Sequence, residues 1–200
     1  VEAVVSAGAD TIGFNLWPQS PRSISADQAR SLIQLVGGRL ATVGVTVDTP
    51  TEELASLRES LGLDWVQLHG DESPGEVDAL QPHGFKAIGI QTQAHADEAL
   101  AMPGPIVLVD ARDEVARGGT GRLAPTALAR AVAGQRPTVL AGGLTSENVF
   151  QRIQDVRPHG VDTASGVELT PGIKDPAAVH AFCERAKKAF ASLANGELDV

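Results

Sequence analysis

The sequence contains very little cysteine. Its 200 residues include a single one, Cys183, so a disulfide within the chain is impossible and a zinc site built from several cysteines is excluded. Such scarcity is typical of proteins that work in a reducing compartment. We therefore expect a cytoplasmic protein, and we predict no metal site.

The sequence also lacks long apolar runs and an excess of positive charge. No apolar stretch approaches the ~20 residues that a membrane span requires, and the first residues lack the pattern of a signal peptide. Acidic residues number 25 against 16 basic ones, which gives a formal net charge of -9 at pH 7. Because a nucleic-acid binder needs a basic stripe to contact phosphates, we expect neither nucleic acid nor an anionic membrane as a partner.

Short apolar segments recur instead, at intervals of roughly 20 to 30 residues, the length of a βα unit. They are rich in Val, Ile and Leu and too short for helices, which predicts buried parallel strands. The seven segments are 11–14, 41–47, 65–68, 85–90, 106–109, 138–141 and 160–163. Amphipathic helical patterns between and after them lie at 26–36, 51–61, 73–80, 148–156 and 176–193.

This alternation predicts an α/β fold with a parallel sheet covered by helices. We predict a TIM (β/α)8 barrel whose first strand is absent from this chain, since seven strands are visible and a closed barrel needs eight. The barrel would form a single domain over residues 1–193, with a tail at 194–200. Because the missing strand would leave open sheet edges, we expect the natural polypeptide to carry it ahead of Val1. An open doubly wound sheet is the alternative, but its G-x-G-x-x-G fingerprint is absent.

Three glycine-rich loops follow the last three predicted strands. In TIM barrels the active site lies at this end of the strands, and the last loops often hold a phosphate. Glycine lets backbone N–H groups approach an anion closely. The loops are Gly118-Gly119-Thr120-Gly121, Ala141-Gly142-Gly143-Leu144 and Ala164-Ser165-Gly166-Val167. A phosphate site is favoured, with simple tight turns as the alternative.

Four ionisable residues lie at or after strand ends. Asp110 could act as a general acid if partial burial raises its pKa, and His69 ends another strand. Asp162 could orient a ligand hydroxyl, and Arg22 could pair with a substrate carboxylate. Each also has a structural interpretation. Asp110 could cap a helix, and His69 could be a structural histidine. Asp162 could bond to neighbouring backbone, and Arg22 could be an ordinary surface charge.

The order and spacing of several short segments carry a resemblance to a known family. The segments are Gly8-Ala9-Asp10, Ser20-Pro21-Arg22, Val43-Gly44-Val45, Gln67-Leu68-His69-Gly70, Gly118-Gly119-Thr120-Gly121, Ala141-Gly142-Gly143-Leu144, Val161-Asp162, Ser165-Gly166-Val167-Glu168 and Pro171-Gly172. Each alone is weak evidence, but together they resemble the phosphoribosylanthranilate isomerases over nearly the whole chain.

The resemblance implies an aldose–ketose isomerase, an intramolecular oxidoreductase of tryptophan biosynthesis that needs no cofactor. It converts N-(5-phosphoribosyl)anthranilate to 1-(2-carboxyphenylamino)-1-deoxyribulose 5-phosphate by an Amadori rearrangement. Asp110 matches the general acid, Arg22 the residue that holds the anthranilate carboxylate, and His69 and Asp162 residues that line the site. The residues that match the phosphate-binding loops are Gly119, Gly121, Gly142, Gly143, Ser165 and Gly166.

The sequence departs from the family pattern in four places. The general base of the family is a cysteine on the first strand, which is absent here, and Cys183 cannot replace it because it lies in the final predicted helix. Ala164 stands where the family usually has Ser or Asn. Leu123 lies where an aromatic pair is usual. Thr46 replaces a usual Phe, which we expect to widen or polarise the barrel mouth.

Two other functions remain open. Another phosphate-binding barrel, such as a sugar-phosphate epimerase or indole-glycerol-phosphate synthase, would need different acid–base groups, for example a lysine at a strand end. Lys86 is predicted at the start of its strand and Lys174 in a loop. A barrel that binds a phosphorylated ligand without turnover is the third possibility. The sequence does not decide between a monomer and a homodimer, or whether sugar phosphates of histidine biosynthesis are also accepted.

Overall fold

The computed structural model describes residues 1–111 and 123–196. Strands of one parallel sheet alternate with helices along these ranges. The strands are β1 (Thr11–Asn15), β2 (Ala41–Thr46), β3 (Trp65–Leu68), β4 (Gly84–Ile90), β5 (Val107–Ala111), β6 (Thr138–Leu140) and β7 (Gly160–Val161). The helices are α1 (Glu2–Ser6), α2 (Ala26–Val36), α3 (Thr51–Leu61), α4 (Pro74–Ala79), α5 (Gln93–Ala101), α6 (Thr126–Ala133), α7 (Val149–Val156) and α8 (Pro176–Asn195).

The chain forms two compact units. The first unit comprises Val1–Ala87 and Met102–Pro105. The second unit comprises Ile88–Ala101 and the described residues from Ile106 onward. Strand β4 contributes its first half to the first unit and its second half to the second.

The strands are parallel and follow one another in the sheet in chain order. In the first unit Thr11 pairs with Ala41, and Val43 with Trp65. In the second unit Val107 pairs with Thr138. The predicted alternation of seven strands with helices is thereby confirmed. Since parallel strands end at the same edge, the loops that follow them in each unit lie on one side.

A short antiparallel hairpin follows the parallel sheet. Its strands are β8 (Glu168–Thr170) and β9 (Ile173–Lys174), and the 3-10 helix Ser165–Val167 precedes it. Helix α8 ends two residues beyond the predicted boundary at 193, and residues 197–200 lie outside the described part of the chain.

Local signals explain where the predicted helices begin. Ser73 caps α4 by accepting a hydrogen bond from the Glu76 N–H, and the Glu76 carboxylate in turn accepts the Ser73 N–H at 2.7 Å. Pro74 at the first helical position costs no hydrogen bond. Helices α5 and α6 were not predicted, because their buried faces rely on alanine, such as Ala96 and Ala129, which gives little contrast in hydrophobicity.

Each unit has its own apolar interior. In the first unit Phe14, Val36 and Leu61 belong to a buried cluster between the strands and helices. In the second unit every residue of β5 is buried. A side chain near the end of β5 therefore lies in a medium of low polarity.

None of the helices in the described ranges combines the length and apolar composition that a membrane span requires.

A leucine-to-alanine pair tests the first unit's packing. Leu54 on α3 is fully buried, whereas Leu35 on α2 is 60% exposed. We expect Leu54→Ala to lower the free energy of unfolding by about 2–5 kcal/mol, and Leu35→Ala to change it by less than ~0.5 kcal/mol. Urea denaturation measures both. Equal losses would contradict the assigned packing.

Candidate active site

Asp110 lies near the end of β5 with its side chain almost fully buried; the residue is 7% exposed. The Ala111 N–H donates a hydrogen bond to the Asp110 carboxylate at 2.6 Å. The pKa of Asp110 is raised to about 6, chiefly by burial; the Ala111 hydrogen bond opposes this shift, and the negative charge of Asp162 adds to it. A carboxyl with this pKa carries a proton for part of the time near neutral pH, as a general acid requires.

The loop after β6 packs directly against this carboxyl. Gly142 has a φ of +82°, and a Cβ atom at this position would overlap the carboxylate of Asp110 and the backbone of Ala111. Only glycine fits both the left-handed backbone and the close approach. Gly142 was predicted as a phosphate-binding residue, and this stays a prediction; the structure shows that its backbone packs against the Asp110 carboxyl.

The neighbouring residues fix the course of that loop. Gly143 also has a positive φ, of +62°. The Asn148 side chain donates to the Gly143 carbonyl at 2.9 Å and accepts the Thr145 N–H at 2.9 Å. Asn148 thus bridges the two sides of the turn just before α7. It was not predicted as a site residue, since its contacts depend on the folded turn.

The loops after β6 and β7 contact each other. Thr163 donates its hydroxyl to the Leu144 carbonyl at 2.7 Å. A Cβ atom on Gly166 would overlap the same carbonyl. Ser165 and Gly166 begin the 3-10 helix that follows β7. The predicted phosphate-binding residues after β6 and β7 are thereby brought together within the second unit, whereas Gly119 and Gly121 lie outside the described residues.

Asp162 follows β7, and its N–H donates to the Leu140 carbonyl at 2.9 Å. The side chain is open to solvent, although protein surrounds it on its other sides. This surrounding protein raises the pKa of Asp162, while Lys174 and the Thr163 N–H lower it.

His69 follows β3 in the first unit and is half-buried. Its N–H donates to the Thr46 carbonyl at 2.8 Å, which extends the β2–β3 pairing. Its ring Nδ1 lies 3.0 Å from the Gln67 side-chain nitrogen. With the amide assigned as the donor, Nδ1 accepts, and the neutral ring carries its proton on Nε2. His69 can then donate a hydrogen bond from Nε2.

Arg22 lies in the loop between β1 and α2, also in the first unit. This loop is held at the strand ends by the N–H of Leu16, which donates to Val45, and by that of Ile24, which donates to Asn15. The Arg22 N–H itself donates to the Ser20 hydroxyl at 3.1 Å. Since β1 and β3 are parallel, Arg22 and His69 follow the same edge of the sheet within the first unit.

The departures from the family pattern have distinct surroundings. Thr46 is buried, and its hydroxyl donates to the Gln67 carbonyl at 3.3 Å, so its polar group is satisfied within the sheet. Ala164 is exposed, and its carbonyl accepts a hydrogen bond from Lys174 at 2.9 Å. Leu123 is 44% exposed at the start of the second described range. Within the described ranges, no cluster of three His, Cys, Asp or Glu residues could hold a metal ion.

A pair of glycine variants tests the contact at Asp110. Gly142→Ala meets both a strained φ and an overlap, whereas Gly62, with φ +70°, has open space around it. We expect Gly62→Ala to cost about 1 kcal/mol of unfolding free energy, and Gly142→Ala about 2–4 kcal/mol because overpacking adds to the strain. Equal losses in chemical denaturation would show that Gly142 does not press on Asp110.

The raised pKa of Asp110 predicts a pH-dependent stability. A carboxyl whose pKa is 3.8 when unfolded and about 6 when folded stabilises the protein most below pH 3.8, and this stabilisation is lost as the pH rises through 6. Asp110→Asn removes the titration. We expect the stability of this variant relative to the original protein to increase by about 2 kcal/mol from pH 4 to pH 7. A difference independent of pH would contradict the shift.

Comparisons with known proteins agree with this geometry. The family model described as PRAI, N-(5'phosphoribosyl)anthranilate (PRA) isomerase, matches residues 1–185. An N-(5'-phosphoribosyl)anthranilate isomerase from Pelobacter propionicus is 36% identical over 184 residues, which cover 92% of this chain and 88% of the relative.

Solved structures extend the similarity to the fold. The phosphoribosyl anthranilate isomerase from Thermus thermophilus superposes with a TM-score of 0.83 at 33% identity, covering 96% of this chain and 92% of that one. An isomerase of the same name in complex with reduced 1-(o-carboxyphenylamino)-1-deoxyribulose 5-phosphate superposes with a TM-score of 0.81 at 32% identity, covering 94% and 92%. The predicted α/β fold of the TIM-barrel class is confirmed. With strand order, family model and relatives in agreement along nearly its whole length, the chain belongs to the N-(5'-phosphoribosyl)anthranilate isomerase family.

Proposed function

We propose that this chain isomerises N-(5'-phosphoribosyl)anthranilate in tryptophan biosynthesis, with Asp110 as the general acid. The observation that carries the assignment of the acid is the burial of Asp110, which raises its pKa to about 6. An acid of this strength carries its proton for part of the time near neutral pH and releases it readily. The product is 1-(2-carboxyphenylamino)-1-deoxyribulose 5-phosphate.

The chemistry requires one proton donor and one proton acceptor. Asp110 protonates the ribose ring oxygen, the ring opens, and a Schiff base forms between C1 and the anthranilate nitrogen. Loss of the C2 proton to a base then gives an enol-amine, which tautomerises to the ketone at C2. C2 is oxidised as C1 is reduced within one molecule, so the reaction needs no external oxidant or cofactor. The family resemblance assigns the base to a cysteine of the first barrel strand.

The phosphate is proposed to bind at the loops after β6 and β7. Gly142, Gly143, Ser165 and Gly166 are close together in the second unit, and glycine leaves backbone N–H groups accessible to an anion. The Thr163 hydroxyl holds the two loops together through the Leu144 carbonyl, which supports a preformed cradle. Gly119 and Gly121 are proposed to complete it.

Arg22 and His69 are proposed to bind the anthranilate end of the substrate. A guanidinium can bind a carboxylate through two hydrogen bonds, and His69 can donate from Nε2. Asp162 is proposed to accept a hydrogen bond from a ribose hydroxyl, since its carboxylate is open to solvent beside the same loops.

The surroundings of two lysines argue against lysine-based barrel chemistry. Lys86 is buried in an ion pair with Glu72. Lys174 pairs with Glu168 at 3.1 Å and also donates to the Ala164 carbonyl. Both ammonium groups therefore already have protein partners, which favours the isomerase over a lysine-dependent synthase.

The setting of the reaction is also a proposal. We infer that the protein works in the cytoplasm, because a phosphorylated sugar intermediate stays in the compartment where it is made. We expect it to act as a monomer or a homodimer, with a small phosphorylated molecule rather than nucleic acid or a membrane as its ligand, in keeping with its net charge of -9.

An activity assay on the natural protein tests the role of Asp110. The substrate is generated in situ, and the loss of its fluorescence is followed. We expect Asp110→Asn to lower kcat by a factor of about 10²–10⁴, because the variant cannot donate the proton. Asp78→Asn makes the same chemical change on the exposed surface of α4, and its activity should match that of the original protein.

Three other outcomes are informative. If Asp110→Asn stays within a few-fold of the original activity, Asp110 is not the general acid. If the natural protein binds reduced 1-(o-carboxyphenylamino)-1-deoxyribulose 5-phosphate but turns over no substrate, it is a binding protein rather than an isomerase. Turnover of a histidine-pathway aminoaldose phosphate, followed in a separate assay of that compound, would extend the substrate range.

A further inference from the structure

A buried ion pair lies behind the strand end that carries His69. We propose that Lys86 and Glu72 position His69 for substrate binding; this inference rests on the proposed role of His69. Lys86 lies in β4, opposite Leu68 of β3. Its Nζ is 3.0 Å from a Glu72 carboxylate oxygen, and the two side chains are only 4% and 2% exposed. All the residues involved belong to the first unit.

The Lys86 ammonium holds the backbone on both sides of His69. It donates to the Gly70 carbonyl at 2.7 Å and to the Leu68 carbonyl at 3.3 Å. These are the carbonyls of the residues directly before and after His69. A third contact, to the Ala87 carbonyl at 3.2 Å, ties the ammonium to β4 itself. The position of His69 is therefore fixed relative to β4 by one cation.

The Glu72 carboxylate fixes the turn that follows. One of its oxygens accepts the Gly70 N–H at 2.9 Å, and the other accepts the Asp48 N–H at 2.8 Å. Asp48 in turn accepts the Asp71 N–H at 2.6 Å. The loops after β2 and β3 are thus joined, and a Cβ atom on Gly70 would overlap Asp48. This turn has little room to take another course.

These contacts complement those that His69 makes itself. Its N–H is bound to Thr46, and its Nδ1 lies against the Gln67 amide. With Lys86 on the flanking carbonyls and Glu72 on the following N–H, both the backbone and the ring of His69 are oriented.

A contribution to stability alone does not explain why the chain has a buried ion pair between Lys86 and Glu72. Desolvation of two charges offsets most of their attraction, and buried ion pairs are often replaced by apolar residues without loss of stability. The pair does provide directional hydrogen bonds to named backbone groups around His69. Such geometry is what a binding residue needs, since misplacement by about 1 Å can lower catalytic efficiency a hundredfold.

A double-mutant cycle on the natural protein tests the proposal. We expect Lys86→Met and His69→Ala each to lower kcat/KM about ten- to hundredfold, with Lys86→Met acting mainly through KM. The double variant should be no worse than His69→Ala, because Lys86 acts through His69. Multiplicative losses would overturn the inference. Lys86→Met/Glu72→Gln repeats the test without an unpaired buried carboxylate, should Lys86→Met fail to fold.

The matched control lies at the other end of the same strands. Asp64 accepts hydrogen bonds from the Thr42 N–H at 2.7 Å and the Thr42 hydroxyl at 2.9 Å. It joins β2 to β3 as Glu72 does, but about 16 Å from His69 along the strand. Asp64→Asn should lower the melting temperature and leave kcat/KM unchanged. If it lowers kcat/KM as much as Lys86→Met does, the effect at Lys86 is one of general stability.

A spectroscopic readout separates this inference from the proposed function. Nitrogen NMR of the His69 ring should show an unprotonated Nδ1 and a protonated Nε2, and Lys86→Met should shift these signals or average them. Unchanged His69 signals in Lys86→Met would overturn the positioning role, whatever the activity. A His69→Ala variant with full activity, together with shifted signals in Lys86→Met, would instead remove His69 from substrate binding while the positioning contact stands.

Discussion

The proposed acid chemistry of the second unit depends on the contact between the Gly142 backbone and the Asp110 carboxyl. Strand β5 is buried along its whole length, and Asp110 is its only polar side chain, so the loop after β6 packs against a buried carboxyl. Gly142 allows that approach, since any Cβ atom there would overlap the carboxyl. The raised pKa of Asp110 follows from this burial. The same loop then continues into residues proposed to bind phosphate, so the loop that covers the acid also belongs to the proposed anion site.

The two aspartates of the second unit differ because their surroundings differ. Burial raises the pKa of Asp110 to about 6, whereas the surrounding protein raises the pKa of the more exposed Asp162 and the positive charge of Lys174 lowers it. The charge of Asp162 further raises the pKa of Asp110. A carboxyl whose pKa is raised by burial and by a neighbouring carboxylate is a common arrangement for acid–base chemistry. In the first unit the buried ammonium of Lys86 acts through position instead of through a pKa shift. It donates hydrogen bonds to the carbonyls on both sides of His69 and so orients the backbone there.

Much of this could be predicted from the sequence. Apolar runs located the strands, because segments buried on both faces leave no polar alternation, and strand ends located Asp110 and His69. Helices α5 and α6 escaped prediction because alanine-lined faces give weak periodicity. Lys86 was predicted near the start of its strand and given no role, since a single lysine in an apolar segment does not reveal its partner. Glu72 lies fourteen residues away along the chain, and only folding brings the two together. The roles of all the predicted site residues stay predictions, and Gly119 and Gly121 lie outside the described part of the chain.

The protonation of Asp110 is the central claim, and its direct measurement is a carbon NMR titration of the Asp110 side-chain carboxyl, assigned with Asp110→Asn. The structure predicts a midpoint of about 6. A midpoint near 4, the ordinary value for an aspartate in water, would contradict the burial of this carboxyl and remove the physical basis for its role as the acid.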